Sequence, residues 1–352
     1  MKLLVIKTSS LGDVLQTLPA VSDACRARND LDIDWLVEAP FAQVPAWHPR
    51  VANVIPVHIR RWRRHPRLGE IGRLIRDLRS RRYDLVIDAQ GLMKSALLGL
   101  VAKGPVAGLD FASARESVAA IAYGRRFPVP RDMHAVQRTR MLFASALGYD
   151  LPTGPADYGL PSTPRPSRPR LVMLHGATWA TKRWPEEYWS ELARQALGAG
   201  MEAALRWHDE EERASAERIA GAAPGTIVLP AQDLQALREV IAGASVVAAN
   251  DSGPAHLAAA LGVPGVTVYG STRPAHNGTY GAGQLHLAAA FPCSPCRSRT
   301  CLYQGPATVK PACYASLPPG RVWDEVAKLL SDKGRLLPGN SRRSRPRPLP
   351  GP

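Results

Sequence analysis

Long apolar runs are missing from this chain of 352 residues. The opening segment Met1-Lys2-Leu3-Leu4-Val5-Ile6 halts at Lys7, too short for a signal-peptide core and far too short to cross a bilayer. No other stretch comes near that length, so the sequence predicts a soluble, cytoplasmic protein. Aromatic residues are scarce at 6%. None interleaves with the basic residues in an RNP, zinc-finger or helix-turn-helix pattern, which argues against a nucleic-acid partner. Acids are also short: 30 Asp and Glu stand against 45 Lys and Arg, a net charge of +15. That excess calls for an acidic partner, either a phosphorylated or carboxylated substrate or an anionic membrane face.

Cysteine is rare as well. Cys25 stands alone, and Cys293, Cys296, Cys301 and Cys313 form a C-x2-C-x4-C-x11-C cluster. In a cytosolic chain such a cluster means reduced thiols or a metal site, not disulfides. The spacing fits a tetrahedral zinc, but the segment is rich in Pro, Ser and Arg and has no regular knuckle after its first pair. Metal-free loop cysteines and a structural zinc both stay open, and no metal ligand is assigned.

What the chain does have is a 45% hydrophobic fraction, ample for a core, arranged in alternating strand and helix patterns. Apolar runs at 3–6, 33–37, 54–57 and 85–87 read as strands, with helical periodicity over 14–28, 68–80 and 92–102. The stretch 152–169, with Pro161, Pro164, Pro166 and Pro169, breaks this rhythm. Strand patterns resume at 171–174, 203–205, 226–229, 246–249 and 266–269. The expected fold class is α/β: two Rossmann-like, doubly wound domains facing across a cleft. Their expected bounds are residues 1–160 and 170–337, joined by a proline-rich linker at 161–169. A basic tail, 338–352, is expected to be disordered.

Ligands of such sheets sit at the carboxyl ends of the strands, so the loops there carry the candidate chemistry. After the first strand comes Lys7-Thr8-Ser9-Ser10-Leu11-Gly12-Asp13. Ser9 or Ser10 is placed to cap a helix, and Asp13 either complements the helix dipole or serves as a general base. The turn Asn250-Asp251-Ser252-Gly253-Pro254-Ala255-His256 joins a buried strand to a helix. With Asp251 or Ser252 as cap, Gly253 for close approach and Pro254 in the first turn, it presents free N–H groups to a phosphate. His256 adds a donor or merely packs. Gly270-Ser271-Thr272 lines the same edge. Thr178 and Lys182, in the loop 175–187, would stand at the cleft and could neutralise a diphosphate. Arg60-Arg61-Trp62-Arg63-Arg64 crowds the loop before the 68–80 helix, and arginine forks suit a carboxylate or phosphate better than bulk solubility.

KTSSLGDVLQTLPA, IRRWRR, DAQGLMKSA, KRWPEEYW and NDSGPAHLAAALGVPGVTVYGST closely resemble the ADP-heptose:lipopolysaccharide heptosyltransferases, glycosyltransferase family 9. The similarity runs from Met1 to about Leu336. The KTSSLGD start, the IRRWRR block and YGRRFPVPRDMHAVQRTR resemble the first-heptose enzymes, heptosyltransferase I, more than those that add the second. The resemblance implies the GT-B architecture, an ADP-L-glycero-β-D-manno-heptose donor on the C-terminal domain, and the Kdo sugar of Kdo2-lipid A on the N-terminal domain. It implies inversion, no metal or other cofactor, and peripheral association with the cytoplasmic face of the inner membrane. By the same resemblance Asp13 is the catalytic base. Thr178, Lys182, Asp251, Ser252, Gly253 and His256 belong to the donor site, and a glutamate, Glu210 or its neighbour Glu211, holds the ribose. Arg60, Arg61, Arg63, Arg64 and Arg115 meet the acceptor. Ala177 stands where a threonine is common, which removes one donor hydroxyl contact. Three rivals are a heptosyltransferase II, a GT-B-type nucleotide-sugar epimerase and a non-enzymatic basic protein docking on anionic membranes. The epimerase has no use for the arginine block, and the docking protein has none for the cleft motifs.

Overall fold

The computed structural model describes residues 1–161 and 168–331. Most of the 161–169 linker, and all of the 338–352 tail, therefore lie outside the described residues. Two six-stranded parallel sheets carry the fold. The first contains β1 (Lys2–Ile6), β2 (Asp32–Glu38), β3 (Val51–Val57), β4 (Leu85–Asp88), β5 (Val106–Leu109) and β6 (Arg125–Phe127), in the order β3-β2-β1-β4-β5-β6. The second contains β7 (Arg170–Leu174), β8 (Glu202–Leu205), β9 (Ile227–Val228), β10 (Val246–Asn250), β11 (Gly265–Tyr269) and β12 (Gln284–Ala288), in the order β12-β11-β10-β7-β8-β9. Strands covered by helices on both faces need unbroken apolar runs. The central strands show this: Leu3 to Ile6 of β1 are fully buried, as is every residue of β10.

Packing joins the two halves. One contiguous apolar cluster holds Leu3, Val14, Trp35 and Phe143 from the first half with Val172, Leu237 and Leu257 from the second. The outer faces of the two sheets have separate cores.

Three local expectations change. The helix expected over 14–28 is two helices, Leu11–Leu15 and Leu18–Ala27. Pro19 has no N–H to donate and its ring collides with the carbonyl of Leu15, so the helix cannot run through. The Thr17 hydroxyl instead donates to the Asp13 carbonyl at 2.9 Å. The arginine block expected as a loop is a helix, Ile59–Arg64. Its exposed N–H groups at Ile59 and Arg60 donate to the Glu38 carboxylate at 3.1 and 2.8 Å, a cap supplied from the end of β2. Strands β5, β6 and β12 were absent from the sequence pattern. Two of them are sheet edges, and β5 carries Gly108, where a Cβ would fall 2.4 Å from the Tyr123 ring.

Candidate functional site

Each sheet reverses its strand order at one point, between β1 and β4 and between β7 and β10. Crevices open at the carboxyl ends of strands at such points. Asp13 follows β1, Lys182 follows β7, and the 251–256 turn follows β10, so the topology alone brings them to the two switch points.

In the first half Ser10 is the N-cap residue, and its N–H and hydroxyl donate to Asp13 Oδ2 at 2.7 and 2.8 Å. The half-buried Asp13 carboxylate is thereby fixed on its own loop. That loop is held from β4: Gln90 Oε1 accepts the N–H groups of Thr8 and Ser9 at 3.0 and 3.2 Å. Gln90 is in turn aimed by Asp88, whose Oδ1 accepts the Gln90 N–H at 2.8 Å and whose Oδ2 accepts Ser95 and Tyr123 hydroxyls. Burial pushes the Asp88 pKa up, and these donors oppose it. Lys7 ends β1 with its ammonium on the Ala89 carbonyl at 2.8 Å. Burial lowers its pKa while the Asp13 and Asp88 charges pull the other way.

In the second half Lys182 Nζ lies 2.7 Å from Asp251 Oδ2, which also accepts the Thr272 hydroxyl at 2.6 Å. The same ammonium stands 4.9 Å from the centre of the Trp179 ring. Tyr314 fixes the backbone below by donating to the Lys182 carbonyl at 2.9 Å. Ser252 takes the N-cap position of the helix Gly253–Ala260, and its hydroxyl is buried with no protein partner. A buried orphan hydroxyl beside uncapped helix N–H groups is the arrangement an anion satisfies. Thr178 is exposed in the loop before the 3-10 turn Ala180–Lys182.

The two half-sites touch. A Cβ placed on Gly12 would stand 2.7 Å from His256 Cδ2, and one on Gly253 would stand 3.0 Å from the Leu11 side chain. Gln16 Nε2 donates to the Gly278 carbonyl at 3.1 Å, which fixes the orientation of its amide, and lies 3.3 Å from His256 Nδ1. Nδ1 is therefore an acceptor. Burial lowers the His256 pKa despite the pull of the Asp251 and Asp13 carboxylates, so the ring is neutral and carries its proton on Nε2, next to Gly12. His134 Nε2, also on the Gly278 carbonyl at 3.1 Å, and Tyr158, on the Tyr280 carbonyl at 2.8 Å, extend this polar seam between the halves. Gln16, His134 and the Asp88–Gln90 relay lie within the motifs quoted above, but nothing in the sequence gives them these roles. Only long-range contacts reveal them.

The three glutamates 210–212 stand in different surroundings. Glu210, on the outer side of the helix Glu210–Ala222, is 80% exposed and pairs with Arg213, and Glu211 pairs with Arg183. Glu212 is the one that turns inward: its Oε2 accepts the His208 N–H at 2.9 Å, and a Cβ on Gly176 would collide with its carboxylate. Asp209 caps the helix through the Glu212 N–H at 2.9 Å, which turns its third residue back towards the β7 loop. Burial raises the Glu212 pKa, with Arg206 opposing. A cavity of about 340 Å³ opens here, lined by His175, Gly176, Arg183, Glu211 and Glu212 among others.

Of the arginines expected at the acceptor, Arg61 pairs with Glu70 and Arg60 lies 5.9 Å from the Phe41 ring. Arg63, Arg64 and Arg115 are exposed, and Arg115 is near enough to Lys7 to lower its pKa further. Among the described residues no three His, Cys, Asp or Glu side chains are placed to hold a metal ion. Cys293, Cys296 and Cys301 are exposed, while burial pushes the Cys313 thiol up to about 11. Among the described residues, no helix is long and apolar enough to cross a membrane.

The family model for glycosyltransferase family 9 (heptosyltransferase) matches residues 71–306. Lipopolysaccharide heptosyltransferase 1 of Pseudomonas aeruginosa is 47% identical over 348 residues, covering 94% of this chain and 98% of that protein. The Escherichia coli K12 protein of the same name is 43% identical over 295 residues, 81% of this chain and 92% of its own. The solved structure of E. coli heptosyltransferase WaaC with ADP-2-deoxy-2-fluoro heptose superposes with a TM-score of 0.79 at 37% identity, covering 93% of this chain and 99% of that one.

Proposed function

This chain belongs to glycosyltransferase family 9, the heptosyltransferases, and from that premise we propose that it transfers L-glycero-D-manno-heptose from ADP-heptose to Kdo of Kdo2-lipid A, the first heptose of the lipopolysaccharide inner core. The observation that carries the assignment of roles is the abutment of two helix starts, Gly12 on His256 and Leu11 on Gly253. It sets one fixed carboxylate beside one anion-ready turn.

The reaction is a single displacement with inversion. The acceptor hydroxyl oxygen forms a bond to the anomeric carbon as its proton passes to Asp13, and the bond from that carbon to the β-phosphate oxygen breaks, releasing ADP. The leaving phosphate gains negative charge. Lys182, the Ser252 hydroxyl, the free N–H groups of the helix Gly253–Ala260 and the Nε2 proton of His256 meet that charge without a metal ion. Thr178 joins the diphosphate from the loop rim. We assign the ribose to Glu212 in place of Glu210, because its side chain is 13% exposed against 80% for Glu210 and 70% for Glu211. Arg60, Arg61, Arg63, Arg64 and Arg115 receive the carboxylate and phosphates of the acceptor, which the enzyme meets at the cytoplasmic face of the inner membrane.

The arginine helix is what favours transfer over epimerisation, since an epimerase has no anionic acceptor to hold. Incubation with ADP-heptose and Kdo2-lipid A, read by mass spectrometry of the lipid, tests the activity. Free heptose in place of glycosylated lipid would refute it. An Asp13→Asn variant should bind ADP normally and lose roughly a hundred- to ten-thousandfold in kcat. Near-normal turnover by that variant would reject Asp13 as base.

A further inference from the structure

We propose that the face built from the helices Leu68–Ser80 and Met93–Val101 and the 3-10 turn Ser117–Ala122 is the surface by which the protein lies on an anionic phospholipid bilayer. The inference rests on the reading that the acceptor is carried on a lipid.

A helix on the surface of a sheet normally buries its apolar stripe and turns polar residues outward. The helix Met93–Val101 does the reverse. Its inward positions are the small residues Ser95, Ala96 and Gly99, all buried, while Leu97 and Leu100 stand 55% and 56% exposed. The Ser117–Ala122 turn packs beside it and exposes Val118 and Ile121 at 51% and 68%. On the other flank the helix Leu68–Ser80 buries only Leu78 completely and leaves Leu68 at the surface. Isolated exposed leucines are ordinary, but several large aliphatic side chains on neighbouring elements form a patch.

The rim of this patch is basic. Lys94 lies on the helix Met93–Val101 itself, and Lys103 and Arg115 lie two residues along the chain from that helix and from the 3-10 turn. Arg126 donates to the Ala120 carbonyl at 2.7 Å and lies 5.2 Å from the ring of the exposed Phe111. Next to it the segment 59–82 carries ten arginines against two acids. Leucine and isoleucine ringed by arginine match the boundary between acyl chains and anionic headgroups. A second copy of a chain with a charge of +15 would be repelled by the same rim.

The patch is also tied to the reaction centre. Glu116, at the start of the 3-10 turn, accepts the Met93 N–H at 2.7 Å and donates its own N–H to the Gly91 carbonyl at 3.0 Å. Gly91 adjoins Gln90, which holds the loop bearing Asp13. This run of contacts links the docking face to the loop that bears Asp13.

The test is flotation with vesicles of phosphatidylethanolamine and phosphatidylglycerol that contain no acceptor. Wild-type protein should float with them, and neither with phosphatidylcholine vesicles nor at high salt. A combined Leu97→Ser, Leu100→Ser, Val118→Ser, Ile121→Ser variant should lose roughly tenfold or more in vesicle partitioning. It should still glycosylate a deacylated, water-soluble Kdo acceptor at the wild-type rate while slowing on vesicle-embedded acceptor. Absence of wild-type flotation, unchanged flotation of the variant, or a wild-type dimer that the variant turns into a monomer would each overturn the proposal. Flotation without heptose transfer to either acceptor would sink the proposed function and leave the docking face standing. Transfer to the soluble acceptor without flotation would do the opposite.

Discussion

Gly12→Ala is the most economical perturbation of the catalytic junction. The added methyl would sit 2.7 Å from His256 Cδ2 and 3.2 Å from Nε2, about 1 Å inside ordinary contact. The ring has little freedom to yield. It is buried, its Nδ1 is held by Gln16, and Gln16 is itself anchored on the Gly278 carbonyl. Either the ring turns and surrenders the Gln16 bond, or the two helix starts part. The first misplaces the Nε2 proton of His256, and the second moves Asp13 away from the 251–256 turn. Overpacking of a tight contact typically costs ~1–3 kcal/mol, and expressed in the barrier that is a fall in kcat of roughly 5- to 150-fold. The variant should stay folded by circular dichroism and bind ADP within a few-fold of wild type, because the donor contacts proposed for Lys182 and Ser252 are untouched. Adding His256→Ala removes the colliding ring, so the double variant should be less impaired than the product of the two single effects. Steady-state kinetics of the four proteins decides it. Wild-type kcat in Gly12→Ala, or strictly multiplicative effects in the cycle, would refute the junction as described.

Three further outcomes are expected. Glu212→Gln should raise the KM for ADP-heptose by roughly 10- to 100-fold, the worth of a hydrogen bond to a charged group, while Glu210→Gln changes it little; the reverse ranking in donor titrations would return the ribose to Glu210. Turnover should be indifferent to EDTA, and a tenfold loss restored by magnesium would rule out the metal-free reading. His48 and His134 have pKa values pushed by burial from 6.5 down to about 4. Between those values the unfolded chain binds more protons than the folded one, so their stabilisation is complete above pH 6.5 and drains away as the pH falls towards 4. The slope is roughly 1.4 kcal/mol per pH unit for each. Urea titrations from pH 7 to 4.5 should show it, and His134→Gln should make it shallower.

The sequence exposed the parts of the fold that obey local rules. Buried parallel strands are unbroken apolar runs, so β1, β4, β7, β10 and β11 are visible as Leu, Val, Ile and Ala clusters. The edge strand β6 is Arg-Arg-Phe, and nothing local distinguishes it from a loop. Helix Ile59–Arg64 was hidden for another reason: its cap is Glu38, some twenty positions upstream. The candidate site divides the same way. Asp13, Lys182, Ser252 and His256 sit in strand-to-helix turns whose chemistry is legible residue by residue. Glu210, Glu211 and Glu212 are three like residues in a row, and only the capping of their helix by Asp209 decides which one faces inward. The Gln90 brace on the Asp13 loop crosses from one strand to another, so no spacing announces it.

The ion pair between Lys182 and Asp251 has a consequence for the rhythm of turnover. Before any nucleotide arrives, the ammonium is already neutralised by a carboxylate 2.7 Å away. On the proposed mechanism an incoming diphosphate shares or displaces that counter-ion, which tempers the grip on the donor. After transfer the same carboxylate stands ready to reclaim the lysine, so spent ADP departs against an internal competitor instead of leaving a naked cation behind.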